Sequence, residues 1–165
     1  MRIKKYCAVE NFILILCLLM MVPSWADIPA SQTETDLQYP QKDIDGMLSR
    51  LLKEGDKRRI MIKPYKLRFK GQLMAKPEMG DYSLAYDSLQ LWSSASLPTI
   101  SHSSYIQTAA GKVIAVYVEE AVASRLSHEN VGLQATFYAL HLYNYEYGPR
   151  LLILSYQSEA GQLSP

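Results

Sequence analysis

Cysteine is nearly absent from this chain of 165 residues: there are two, Cys7 and Cys17, and none beyond. From residue 18 onward this excludes disulfides, thiolate metal sites and a cysteine nucleophile. Small secreted animal domains usually carry disulfides, so an exported chain without them points to a bacterial periplasm. Glycine and proline are sparse, eight of each, too few for a collagen-like or linker chain. The formal charge is only +1, which excludes a polyanion binder working through bulk charge. No apolar run is long enough for a transmembrane helix: the longest, Phe12 to Val22, spans about 16 Å as a helix against a bilayer core of about 30 Å.

That short run nevertheless has a recognisable context. Arg2, Lys4 and Lys5 precede it, and Pro23-Ser24-Trp25-Ala26 follows it. A basic start, an apolar core and small residues three and one before the cut form a secretory signal, with cleavage expected between Ala26 and Asp27. The competing reading is an uncleaved anchor, and Glu10 is a blemish on the signal. Lipidation at Cys17 is rejected because Leu14-Ile15-Leu16 lacks the small residues that lipoprotein processing needs. After cleavage no transmembrane span is expected, and the location is periplasmic or secreted.

What remains is 48% apolar and 20% charged across the whole chain, ordinary values for a globular protein. The expected organisation is a signal over 1–26, a flexible polar leader over 27–41, one α+β domain over 42–158 and a tail over 159–165. Asp43 is an N-cap candidate for a helix in which Ile44, Met47, Leu48, Leu51 and Leu52 recur at helical spacing, with Gly55 as its stop. From Arg58 the period changes to two. Tyr65, Leu67, Phe69 and Leu73 share one face of a strand and Lys66, Arg68 and Lys70 the other, with Gly71 marking a bulge or bend.

Tyr82, Leu84 and Tyr86 alternate again toward Trp92 and predict a second strand; the Ser-rich stretch 93–104 predicts a loop. Val113 to Val118 predicts a buried strand, Glu119 to Leu126 a short helix with two carboxylates at its positive end. Ala135 to Tyr145 and Arg150 to Tyr156 predict a hairpin turning at Glu146-Tyr147-Gly148-Pro149. The expected fold is therefore a small five-stranded antiparallel OB-like barrel or sheet, with an N-terminal amphipathic helix and a short helix between strands 3 and 4. Phe69, Val116, Phe137 and Leu152 are its expected core.

Residues that carry catalysis are scattered. His102, His128 and His141 lack metal-ligand spacing, and His141 in an apolar strand reads as a hydrogen-bonded structural histidine. No Gly-x-Ser-x-Gly or Ser-x-x-Lys element occurs, Gly111-Lys112 lacks the other glycines of a phosphate loop, and adjacent Glu119-Glu120 point apart. No metal and no cofactor is expected, and an enzyme is disfavoured.

Two concentrations point to binding instead. Between Arg50 and Lys70 lie nine basic residues against Glu54 and Asp56, a local charge of +7, while the rest of the chain after residue 26 sums to −8. Arg58, Arg59, Lys63, Lys66, Arg68 and Lys70 form the candidate anion-facing patch; a merely solvated strand face is the bland alternative. Tyr138, Tyr143, Tyr145 and Tyr147 crowd the last hairpin, as an interface or as plain sheet packing. The expectation is a non-catalytic binding or assembly module of a cell-envelope complex. Its partner would be another envelope protein, or an anionic ligand such as lipid phosphate or peptidoglycan; nucleic acid is disfavoured. The alternatives are a soluble binder of a small ligand or anionic polymer and, weaker, a hydrolase.

Overall fold

The computed structural model describes residues 35–54, 60–92, 97–145 and 147–159, with only the backbone of 51–54. The signal with its Ala26–Asp27 cut, residues 27–34 of the leader, Arg58, Arg59 and the tail beyond Glu159 lie outside the described residues. The architecture is α+β and mostly strand. In chain order come α1 (Ile44–Glu54), β1 (Ile60–Leu73), β2 (Glu78–Met79), α2 (Ser83–Gln90), β3 (Ile100–Thr108), β4 (Val113–Glu119), α3 (Glu120–His128), β5 (Gln134–Tyr145) and β6 (Gly148–Ser158). None of the described helices is long and apolar enough to cross a membrane.

The strands form one mixed sheet in the order β1-β5-β6-β4-β3-β2, not a five-stranded antiparallel one. β4 and β6 run parallel, joined through Val116–Leu151 to Val118–Ile153. A short extra pairing, Gly71–Thr108 to Leu73–Ile106, brings the end of β1 onto β3 and partly closes a ring. Gly71 is where β1 first meets β3 while still on β5, pairing with both Ala135 and Thr108. A Cβ there would lie 2.6 Å from Ile106 Cγ2 and 2.9 Å from the Gln107 carbonyl oxygen, so only glycine permits the crossing.

Two apolar layers hold the sheet. Inside the ring, Leu67, Phe69, Ile106, Val116, Phe137 and Ile153 are buried together with Ile44 and Leu48 of α1 and Val122 and Leu126 of α3. Alternation on β1, β3 and β4 aims these side chains inward. α1 lies by the β3–β4 turn, where the Asp45 carboxylate accepts hydrogen bonds from Thr108 Oγ1 and the Ala110 N–H. α3 follows β4 directly, with Glu120 in its first turn and Arg125 and His128 in its last, as the helix dipole favours. Outside the ring, α2 covers Leu142, Tyr143 and Leu152 with Ala85 and Leu89. Leu152 is thus buried on the outer face of the sheet rather than in the ring with Phe69, Val116 and Phe137.

Two expectations fail in opposite directions. The segment predicted as the second strand is α2: Tyr82, Ala85, Tyr86 and Leu89 follow helical spacing, and small Ala85 and Ser88 let the helix sit close to the sheet. Ser88 Oγ donates to the Leu142 carbonyl at 3.2 Å in that contact. Conversely, the Ser-rich loop contains the first half of β3. Its hydroxyls find partners in the sheet: Ser104 Oγ donates to the Ala75 carbonyl at 2.6 Å, and Ser103 Oγ accepts from Tyr82 at 2.9 Å.

Candidate functional site

Two surfaces gather the candidate residues. The first lies along the edge of β1. Lys63 is exposed at the register shift between Met61 and Tyr65, which contains Pro64. Lys66 and Lys70 are exposed and Arg68 is half-buried. This row is met by the chain itself, because residues 35–42 lie along it as a strap. The Arg68 N–H donates to the Pro40 carbonyl at 3.1 Å, the Lys42 N–H donates to the Arg68 carbonyl at 3.0 Å, and Gln41 pairs with Arg68 in a parallel bridge. The guanidinium of Arg68 forms an ion pair with Asp36. Lys66 Nζ donates to Gln38 Oε1 at 3.2 Å and sits 5.0 Å from the centroid of the Tyr39 ring. Lys70 reaches Glu159 at 2.8 Å.

Tyr138 belongs to this surface rather than to the hairpin tip. It is buried beside Arg68, its register partner, and its hydroxyl donates to Asp36 Oδ1 at 3.0 Å. The Tyr39 ring meets it edge-on, 5.5 Å between centroids. Burial raises the Tyr138 phenol above its ordinary 10.0, with the Asp36 carboxylate adding to the rise. The seven described residues of the predicted leader therefore form an ordered cover on the predicted patch.

The second surface lies across β3, β4, β6 and β5 at the hairpin end. Tyr105 faces out opposite Ala115; Arg150 is the next residue across the parallel pair, and Tyr143 stands opposite Arg150. Because Ala115 is small, the Arg150 guanidinium reaches over it, with Nη1 donating to the Ala115 carbonyl at 3.5 Å and the group lying 5.8 Å from the Tyr145 ring centroid. Tyr145 and Tyr147 meet edge-to-face at 5.7 Å. Tyr105 is 51% exposed and Tyr147 is 72% exposed, whereas Tyr143 is buried, its hydroxyl 2.6 Å from that of Tyr117. Tyr105 and Arg150 are two strands apart, about 10 Å. Among the described residues no carboxylate pairs with Arg150.

The hairpin geometry itself is encoded locally. Gly148 adopts φ +122°, and a Cβ there would strike Leu48 Cδ2 at 2.4 Å, so glycine both turns the hairpin and lets α1 pack under it. Between the two surfaces His141 is buried on β5. Its Nδ1 is 2.8 Å from the Tyr65 hydroxyl and its Nε2 is 2.8 Å from Asn144 Oδ1. Burial holds its pKa below the ordinary 6.5.

Sequence reasoning singled out Tyr145 and Tyr147 but missed Tyr105 and Arg150. The signal was available: Tyr105 precedes inward Ile106, and Arg150 is a lone cation among apolar hairpin residues. It also missed Asp36 and Tyr39, whose partners are about 30 and 100 residues away in sequence. Ser101 Oγ is 2.7 Å from His102 Nδ1, a contact between sequence neighbours with no carboxylate beyond it among the described residues. Among the described residues no group of three His, Cys, Asp or Glu side chains is placed to hold a metal ion. No protein-family model matches the chain, and a search of curated proteins finds no match either.

Proposed function

We propose that the chain is an exported, non-catalytic binding or assembly module of a cell-envelope complex, built on an OB-type barrel. Support for the barrel comes from the ring β1-β3-β4-β6-β5. Numbered along the chain without β2, its strands follow the order 1-2-3-5-4, with a parallel 3–5 pair and a helix between 3 and 4. OB barrels bind ligands over strands 2 and 3 and the loop between strands 4 and 5. Here those are β3, β4 and the β5–β6 hairpin, where Tyr105, Arg150, Tyr145 and Tyr147 gather. Export rests on the residue pattern of 1–26.

The observation that carries the reading is Arg150. An arginine steadied by a tyrosine ring and a backbone carbonyl, with no carboxylate among the described residues, is ready for an anionic group from outside. Exposed tyrosines around it supply rigid contact area at low entropic cost. The expected partner is another envelope protein that places a carboxylate against Arg150. The same guanidinium supports a second reading, a soluble binder of a small ligand or anionic polymer such as lipid phosphate or peptidoglycan. The Lys63–Lys70 row is the lesser contact candidate, since its cations are engaged within the chain.

Crosslinking in intact cells followed by purification tests this. Wild type retains a specific partner, and a folded Arg150→Gln/Tyr147→Ala variant loses it. A variant that retains the partner in full contradicts the assignment. Salt-sensitive binding of purified protein to anionic vesicles or an oligonucleotide, without a retained protein, favours the second reading.

A further inference from the structure

The strap over 35–42 is held in an unusual way for a terminal segment. Its one large aliphatic side chain, Leu37, is 80% exposed, so little of its attachment is hydrophobic. Its attachment consists of two backbone hydrogen bonds to Arg68, the Asp36–Arg68 ion pair, the Gln38–Lys66 contact and the Tyr39–Tyr138 ring contact. The receiving half of each contact belongs to the folded sheet: Lys66 and Arg68 on β1, and Tyr138 on β5. The delivered half is generic: a helical turn over 35–38 that carries a carboxylate, an aromatic ring three residues after it, and then extended backbone over 40–42. Such an edge, with main-chain bonds for affinity and side-chain contacts for specificity, is how sheets take up peptides by strand addition.

Arg68 makes the edge selective. Its guanidinium is half-buried and among the described residues answers to one carboxylate, Asp36, so a departing strap leaves a charge that another anion can satisfy. Lys66 adds a cation over the aromatic position, and Tyr138 offers that ring an edge-to-face partner. We infer that this edge of β1 is a recognition site for an acidic segment of a partner protein, with an aromatic residue three positions after its carboxylate and extended backbone immediately beyond that ring. The strap occupies the site in cis and holds it closed. The site is separate from the Arg150 face and does not depend on the function proposed for that face.

The test uses the full chain and a fluorescein-labelled peptide with the sequence of residues 34–43. In the variant Asp36→Asn/Tyr39→Ala the strap loses two of its three side-chain anchors, and the peptide is expected to bind about tenfold or more tightly than to wild type, where the strap competes. Adding Arg68→Gln to that variant, or replacing the peptide's first Asp, Asp36 in the chain, by Asn, abolishes binding. In wild type, the Lys42 amide exchanges with deuterium faster than the β1–β5 amides, and excess peptide removes its protection while that of Arg68 remains. This second measurement stands even if the double variant fails to fold. A folded double variant that ignores the peptide overturns the inference, as does peptide binding indifferent to Arg68→Gln, or a Lys42 amide as protected as the β1–β5 ladder. Equal binding of phosphatidylglycerol vesicles would assign the row to anions at large, and a concentration-dependent dimer would assign it to a second copy. Either result overturns the peptide site.

Discussion

The Lys66–Arg68–Lys70 row and the Tyr105–Arg150–Tyr147 face have much the same composition, cations beside tyrosines on the outside of one sheet. They differ in what answers the cations. On the first, Asp36, Gln38, Tyr39 and Glu159 of the same chain cover the charges. On the second, the arginine leans on a carbonyl and a ring, and Tyr147 stands out from the hairpin. A local excess of charge in the sequence therefore marks where the chain must compensate itself as readily as where it meets a partner. Arg150 differs in lying among apolar neighbours, with no carboxylate paired to it among the described residues.

Several changes break or sharpen this contrast. The largest effect is expected from Phe137→Ala, which empties the ring beneath both surfaces and should cost about 3–5 kcal/mol in denaturant unfolding. Gly71→Ala should cost about 1–3 kcal/mol, because the new methyl meets the Gln107 backbone and forces β1 off β3. The arginines then separate. Arg68→Gln should lower stability by about 1–2 kcal/mol by stripping the strap of its ion pair. Arg150→Gln should change stability by no more than about 0.5 kcal/mol while removing partner retention. Equal losses at both positions would erase the distinction between the surfaces.

His141, between the two, gives a pH signature. Its neutral form is favoured in the fold because burial disfavours the charge, so the unfolded chain binds the proton first. Stability should be full above about pH 6.5 and fall as the pH drops from there toward the lowered folded value, by at most about 1.4 kcal/mol per pH unit. His141→Gln should flatten that slope between pH 6.5 and 5 in thermal melts.

Much of the fold was legible because burial writes itself as period. The alternation through Leu67 and Phe69, the β-branched run of β4, the helix α3 after it and the β5–β6 hairpin all stand where their patterns put them. Gly71 was legible as a bend for the same reason, a gap in an apolar face. α2 was misread because its buried face includes Ala85 and Ser88, which carry no hydrophobic signal, while its large residues happen to alternate. β3 was misread because buried Ser104 and half-buried Ser103, satisfied by Ala75 and Tyr82, look like loop in isolation. These two errors left the strand count at five by compensation; β2 makes the sixth. Of the candidate site, Tyr145 and Tyr147 were visible as a cluster, but Tyr105 and Arg150 join them only through the β3–β4 and β4–β6 pairings, which no local pattern states.

The most direct test places a photo-reactive phenylalanine derivative at Tyr147 in one strain and at Lys66 in another, followed by illumination of intact cells. A specific protein adduct is expected from position 147, and little or none from position 66, where the strap lies. Strong adducts from position 66 and none from position 147 would contradict this expectation.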